Sequence, residues 1–167
     1  AGIPVPADTF TQAERFLKNV RAGGYGGLAS YRPGEPISPA MTAEALVCRQ
    51  LLGESISTET LREADAFLLQ HRPGTGENNL YFWYYASMAL YYQQGEAWNT
   101  WNRALKDHLL AMQSTTGESA GSWPANTTWG GYGGTVYTTA TAALCLEVYY
   151  RYLPMYVAIP ETNSVLR

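Results

Sequence analysis

The sequence predicts an all-α fold of about six helices in alternating outer and inner layers. Apolar residues recur at the three-and-four spacing of a buried helical stripe, and Gly, Pro and Asn gather in the joints between those stretches. No clean alternating strand pattern occurs outside the joints. The runs LYFWYY and EVYYRYL favour strands by composition but sit inside longer helical patterns.

Thr9 to Val20 places its stripe on Phe10, Ala13, Leu17 and Val20, with Thr9 and Gln12 spaced as a capping box. Ser38 to Leu52 opens on an N-cap serine, has Pro39 in the first turn, and is then apolar nearly all round. Ser57 to Gln70 is amphipathic on Leu61, Ala64 and Leu68. Asn79 to Gln94, reading NLYFWYYASMALYYQQ, has no polar face. Ala97 to Gln113 is amphipathic on Trp98, Trp101, Leu105, Leu109 and Met112, and Thr135 to Tyr152 again lacks a polar face. A helix without a polar face is covered on several sides, whereas a striped helix turns one side to water. The two kinds alternate, which predicts the two layers. Joints fall at 21–36, 72–78 and 114–134. Residues 1–8 read as linker, 9–156 as a single domain and 157–167 as tail.

A chain of 167 residues, 46% hydrophobic and 15% charged, can bury a core without a metal or disulfide. Its net charge of −3 supplies no pull toward nucleic acid or an anionic membrane. No apolar run reaches the roughly 18 residues of a membrane span, and no secretory signal is read at the start. Cys48 and Cys145 lie in apolar helical patterns and read as small core residues. Two Cys and two His spread far apart predict no zinc site and call for no cofactor. His71 and His108 read as solvated or hydrogen-bonded side chains. The aromatic content stands out, with 13 Tyr and 5 Trp against 3 Asp and 2 Lys.

Internal repeats organise the chain. The pentapeptide GGYGG occurs at Gly23 to Gly27 and again at Gly130 to Gly134. The inner helices align on Ala45-Leu46, Ala89-Leu90 and Ala143-Leu144, with the small residues Thr42, Ala86 and Ala140 on the same face. The outer helices align on Phe16-Leu17, Phe67-Leu68 and His108-Leu109. This is the pattern of three tandem α-hairpins.

Arg103-Ala104, His108-Leu109, Gln113 and Gly121-Ser122-Trp123 together resemble a QW motif, with His108 in the aromatic position and a lengthened gap before Gly121. Phe16-Leu17, Arg21 and Gly23-x-Tyr25 form a more degenerate copy. On these residues the chain is similar to the terpenoid cyclase and protein prenyltransferase superfamily, whose squalene-cyclase-like repeats build α/α-toroids. The resemblance implies a partial α/α-toroid, because three hairpins fall short of a closed ring. It also implies that Gln113, Gly121, Trp123 and Trp129 reinforce the fold.

The superfamily's chemistries leave marks that can be sought directly. A class II cyclase carries an Asp-rich DxDD-type acid, but Asp8, Asp65 and Asp107 stand isolated. The zinc-ligand order of a prenyltransferase β subunit and the GCGEQ thioester segment are not found either. No catalytic residue or metal ligand is therefore assigned.

The expected function is a non-catalytic repeat domain that binds a protein or ligand through an aromatic-lined concave face. Candidate residues for that face are Tyr81, Trp83, Tyr84, Tyr85, Tyr132 and Tyr137, with Tyr91 and Tyr92 on the same helix as the first four. Glu44, Arg49 and Glu147 are charges on mostly apolar helices, so each is paired or faces a cavity. An Arg49 pair with Glu44 or Glu147 is one expectation and a polar spot in a cleft is the other. Two alternatives stand beside this reading. One is the C-terminal part of a terpenoid-cyclase-like enzyme whose acid lies outside this chain, and the other is a carbohydrate-binding toroid. The partners implied are the remainder of a parent protein or a homodimer mate, with an isoprenoid-like or glycan ligand.

Overall fold

The computed structural model describes residues 4–151. Its helices are α1 (Ala7–Asn19), α2 (Pro39–Leu51), α3 (Thr58–Gln70), α4 (Leu80–Gln93), α5 (Gly95–Met112) and α6 (Gly130–Arg151). A short antiparallel ribbon, β1 (Arg21–Ala22) against β2 (Leu28–Ala29), links α1 to α2. The chain is all-α with about six helices, as its periodicity predicts. The ribbon was not foreseen, because two-residue strands leave no alternation to read.

Side-chain caps start three of these helices. Ser38 Oγ accepts from the Met41 amide at 3.2 Å, with Pro39 at the first helical position. Ser57 Oγ accepts from Thr60 N at 3.2 Å, and Asn79 Oδ1 from Phe82 N at 3.0 Å. Helix α1 departs from expectation. It begins at Ala7, inside the stretch read as linker, and has no side-chain cap. Thr9 and Gln12 therefore lie within the helix, and Gln12 bonds Asp8 rather than closing a capping box. In α6 the positive φ of 65° at Gly134 sets off the first turn, so the regular helix starts at Thr135. The expected end of that helix at Tyr152, residues 153–156 of the domain and the 157–167 tail lie outside the described residues.

Helix α4 packs along α2 on one side and α6 on the other. Helix α3 covers α2, α5 covers α4, and α3 touches α5, while α1 rests on α2. The helices without a polar face thus form an inner row, and the striped ones lie outside it. Ala43, Ala86, Ala89 and Ala142 are fully buried, and small side chains permit close approach of the inner helices. Ala140, at the α6 position matching Thr42 and Ala86, is exposed instead. No described helix follows α6 on that side.

Polar bonds pin the layers. Gln50 Nε2 donates to Ala89 O at 3.1 Å, tying α2 to α4. The Trp101 indole N–H donates to Ser87 Oγ at 2.9 Å, tying α5 to α4. The tightest turn joins α4 to α5, where Gln94 and Gly95 take φ values of 61° and 87°.

Candidate functional site

A cavity of about 410 Å³ opens between α1 and α2. Ala13, Phe16, Leu17 and Val20 form one wall, and Met41, Ala45, Cys48 and Leu51 form most of the other. These α2 residues recur at three- and four-residue spacing, so one face of the helix supplies them. Leu17 and Val20 are buried, yet Phe16 and Leu51 remain more than half exposed at the rim. Tyr31 stands at the mouth with the Arg32 guanidinium 5.4 Å from its ring centre.

Glu44 is the one carboxylate in this lining. Burial pushes its pKa above the ordinary value, and the Tyr81 hydroxyl of α4 offsets part of that shift. Its Oε1 is buried without a well-aligned hydrogen-bond partner. Cys48 lies one turn further along α2, and its thiol is pushed up by burial and then by the Glu44 charge. From Tyr81 a row of phenols continues along α4, with Tyr81 and Tyr85 centred 5.0 Å apart and Tyr84 and Tyr85 5.4 Å apart. Burial, Glu44 and Tyr85 all push the Tyr81 phenol up, so it stays protonated as a donor. Glu44 therefore sits where the apolar groove meets the tyrosine row.

The other expected ligand residues fall elsewhere. Trp83 is only 1% exposed and packs edge-on against His108 of α5, with ring centres 5.4 Å apart, so it belongs to the core. Tyr91 and Tyr92 are buried as well, and the Tyr91 ring lies 5.2 Å from Trp98. Tyr137 is half-buried on α6, where burial raises its phenol pKa. Tyr132 is 91% exposed and pairs with Trp129 at 6.2 Å, apart from the row on α4.

Arg49 and Glu147 also depart from expectation. Arg49 pairs with neither Glu44 nor Glu147. Its guanidinium bonds Glu54 at 3.0 and 3.1 Å and the Gly26 carbonyl at 3.0 Å. Arg21 joins the same carboxylate at 2.6 Å. Burial would raise the Glu54 pKa, but Arg49 and Arg21 outweigh it and hold it low. Glu147 lies on the surface and faces Arg151 at 3.7 Å, one turn away. A mostly apolar helix at the edge of the row still has a wet side.

Cys48 is exposed rather than a core residue, whereas Cys145 is buried with its Sγ 3.7 Å from Leu80 O, and both are free thiols. His71 caps Phe67 O at 2.9 Å, and His108 meets Asn78 Oδ1 at 2.8 Å. Among the described residues no three of His, Cys, Asp and Glu gather where they could hold a metal ion.

The QW-like residues form a fastening. Gln113 Nε2 donates to Gly121 O at 2.9 Å, and the Trp123 indole N–H donates to Leu109 O at 2.8 Å, in the last turn of α5. Thr138 Oγ1 then donates to Trp123 O at 2.7 Å and anchors the loop to α6. Gly121 takes φ 86°, a conformation that glycine enters without steric cost.

Two important carboxylates escaped the sequence reading. Glu63 of α3 accepts from the amides of Gly24, Tyr25 and Gly27 at 2.6, 3.1 and 2.8 Å. Asp65 is half-buried on α3 near Gln93 of α4, with its pKa pushed up to about 6 by desolvation. Its position beside Ala64 and one turn after Leu61 was the available signal.

No helix among the described residues is long and apolar enough to cross a membrane. Comparison with protein-family models, with curated proteins and with solved structures finds no match to the chain.

Proposed function

We propose that the chain is a non-catalytic, squalene-cyclase/prenyltransferase-like helical repeat domain that binds an apolar ligand between α1 and α2. One observation carries the reading: a cavity of about 410 Å³ walled almost wholly by carbon and sulfur lies open to solvent. That volume is within the range of small-molecule sites, and a few polar groups in an apolar pocket, here Glu44, Ser30 and Tyr31, are their usual composition. The Gln113–Trp123 fastening and the alternation of layers support the repeat assignment. The exposed end faces, Phe10 and Phe16 on α1 and Val136 and Tyr150 on α6, are assigned to the rest of a parent protein or a second copy.

Ala45→Trp tests the groove reading, because an indole at this half-buried position fills the cavity from the α2 side. A straight-chain alcohol such as dodecanol is expected to bind the wild type and protect Cys48 from alkylation by a maleimide. In Ala45→Trp both effects are expected to fall at least about tenfold with the helical circular dichroism unchanged. Equal binding by the two proteins sinks the reading.

A further inference from the structure

An apolar groove selects for chain length and girth but says nothing about the polar end of its ligand. Among the described lining residues Glu44 is the only carboxylate, beside the neutral polar groups of Ser30 and Tyr31, so it is the one charge that end can meet inside the groove. Of the other lining residues, α1 contributes Ala13, Phe16, Leu17 and Val20, none of which can be charged. Around Glu44 the titratable neighbours are the Cys48 thiol on α2 and the Tyr81 phenol on α4, and burial keeps both protonated and neutral. Among the described residues no cation pairs with the carboxylate. Arg21 and Arg49 are committed to Glu54, and Arg32 lies over the exposed ring of Tyr31 at the mouth, where solvent screens it.

A half-buried carboxylate with one oxygen lacking a partner favours a ligand group that brings hydrogen-bond donors and positive charge. It disfavours a second carboxylate, which would place like charges together in an apolar setting. Building on the groove reading, we infer that the ligand is a single-chain amphiphile with a protonated amine head, the chain lying between α1 and α2 and the ammonium on Glu44. The tyrosine row beyond Glu44 adds aromatic faces and hydroxyls that suit a cation leaving the groove.

The test compares three probes of one chain length, dodecylammonium, dodecanol and dodecanoate, by isothermal titration against the whole chain below their aggregation concentrations. At pH 7.5 dodecylammonium is expected to bind at least about tenfold more tightly than dodecanol, and dodecanoate more weakly than both. Glu44→Gln, nearly isosteric, is expected to erase the ammonium advantage, so that dodecylammonium and dodecanol bind the variant within about twofold of each other. A second measurement needs no variant. Ammonium binding should weaken as the pH falls through the raised Glu44 pKa, while dodecanol binding stays level.

Dodecanol binding without an ammonium preference, or a preference that survives Glu44→Gln, overturns the amine assignment and leaves the groove reading intact. Failure of all three probes to bind overturns both.

Discussion

Asp65 shows how one half-buried carboxyl can tie stability to pH in a domain with few charges. Burial raises its pKa from 3.8 to about 6, and the Gln93 side chain offsets this only in part. Its Oδ1 and the Gln93 Nε2 both lack well-aligned partners. A carboxyl raised on folding binds more protons in the native state, so stability is greatest below the unfolded pKa and declines as pH rises through the folded one. The window runs from about pH 4 to about pH 6, and the loss amounts to about 2–3 kcal/mol. Thermal melting of the wild type should therefore show Tm falling across that window. In Asp65→Asn the slope should flatten and Tm at pH 7 should rise. An unchanged slope in the variant would assign the titration to another group. Glu63 left no mark in the sequence, and Asp65 left only its place beside the α3 stripe. A charge beside a helical stripe reads the same whether its neighbours turn it inward or leave it in water.

At the scale of elements, the periodic helices were legible and the joints were not. Six helices emerged within a few residues of their expected bounds, because an apolar stripe must be buried wherever the helix lies. The two GGYGG copies show the limit. At Gly23 to Gly27 the pentapeptide wraps the Glu63 carboxylate, with positive φ at Gly23 and Gly26. At Gly130 to Gly134 the same residues make a helical turn, and only Gly134 takes a positive φ. Glycine admits both conformations at similar cost, so the tertiary partner decides. The first copy also needs its glycine for space, since a Cβ on Gly27 would lie 2.4 Å from the Thr60 carbonyl oxygen. Glu63→Ala should accordingly free three loop amides and cost about 2 kcal/mol in urea unfolding. Gly27→Ala should cost more, because the loop leading into β2 must move away from α3. A Glu63→Ala cost near zero would show that water replaces the carboxylate without loss. The candidate site was legible in the same partial way. Glu44 and Tyr81 were expected at a ligand face and lie together, but their groove depends on how far α1 stands from α2, a distance no sequence pattern encodes.

The whole molecule has a closed side and open ends, and equivalent repeat positions expose the difference. Ala86 lies fully buried in the middle of the inner row, whereas Ala140 holds the matching place on α6 and faces outward. Leucine at Ala86 must be fitted between helices already in contact, and such overpacking typically costs about 1–3 kcal/mol. Leucine at Ala140 meets open space in the isolated chain, where surface changes stay within about 0.5 kcal/mol. Ala86→Leu is therefore expected to lower the urea midpoint clearly and Ala140→Leu to leave it unchanged, both measured at low protein concentration. The second variant also probes the partner assigned to the end faces. Where another copy packs its helices on α6, as α4 does within the chain, leucine at 140 should obstruct that contact, so native mass spectrometry should show a wild-type dimer replaced by monomer. A dimer that persists in Ala140→Leu would move the contact away from this face. A wild-type monomer at every concentration would leave a longer parent chain to cover α6. Val136, 81% exposed on that same helix, then marks the first position to label in a search for it.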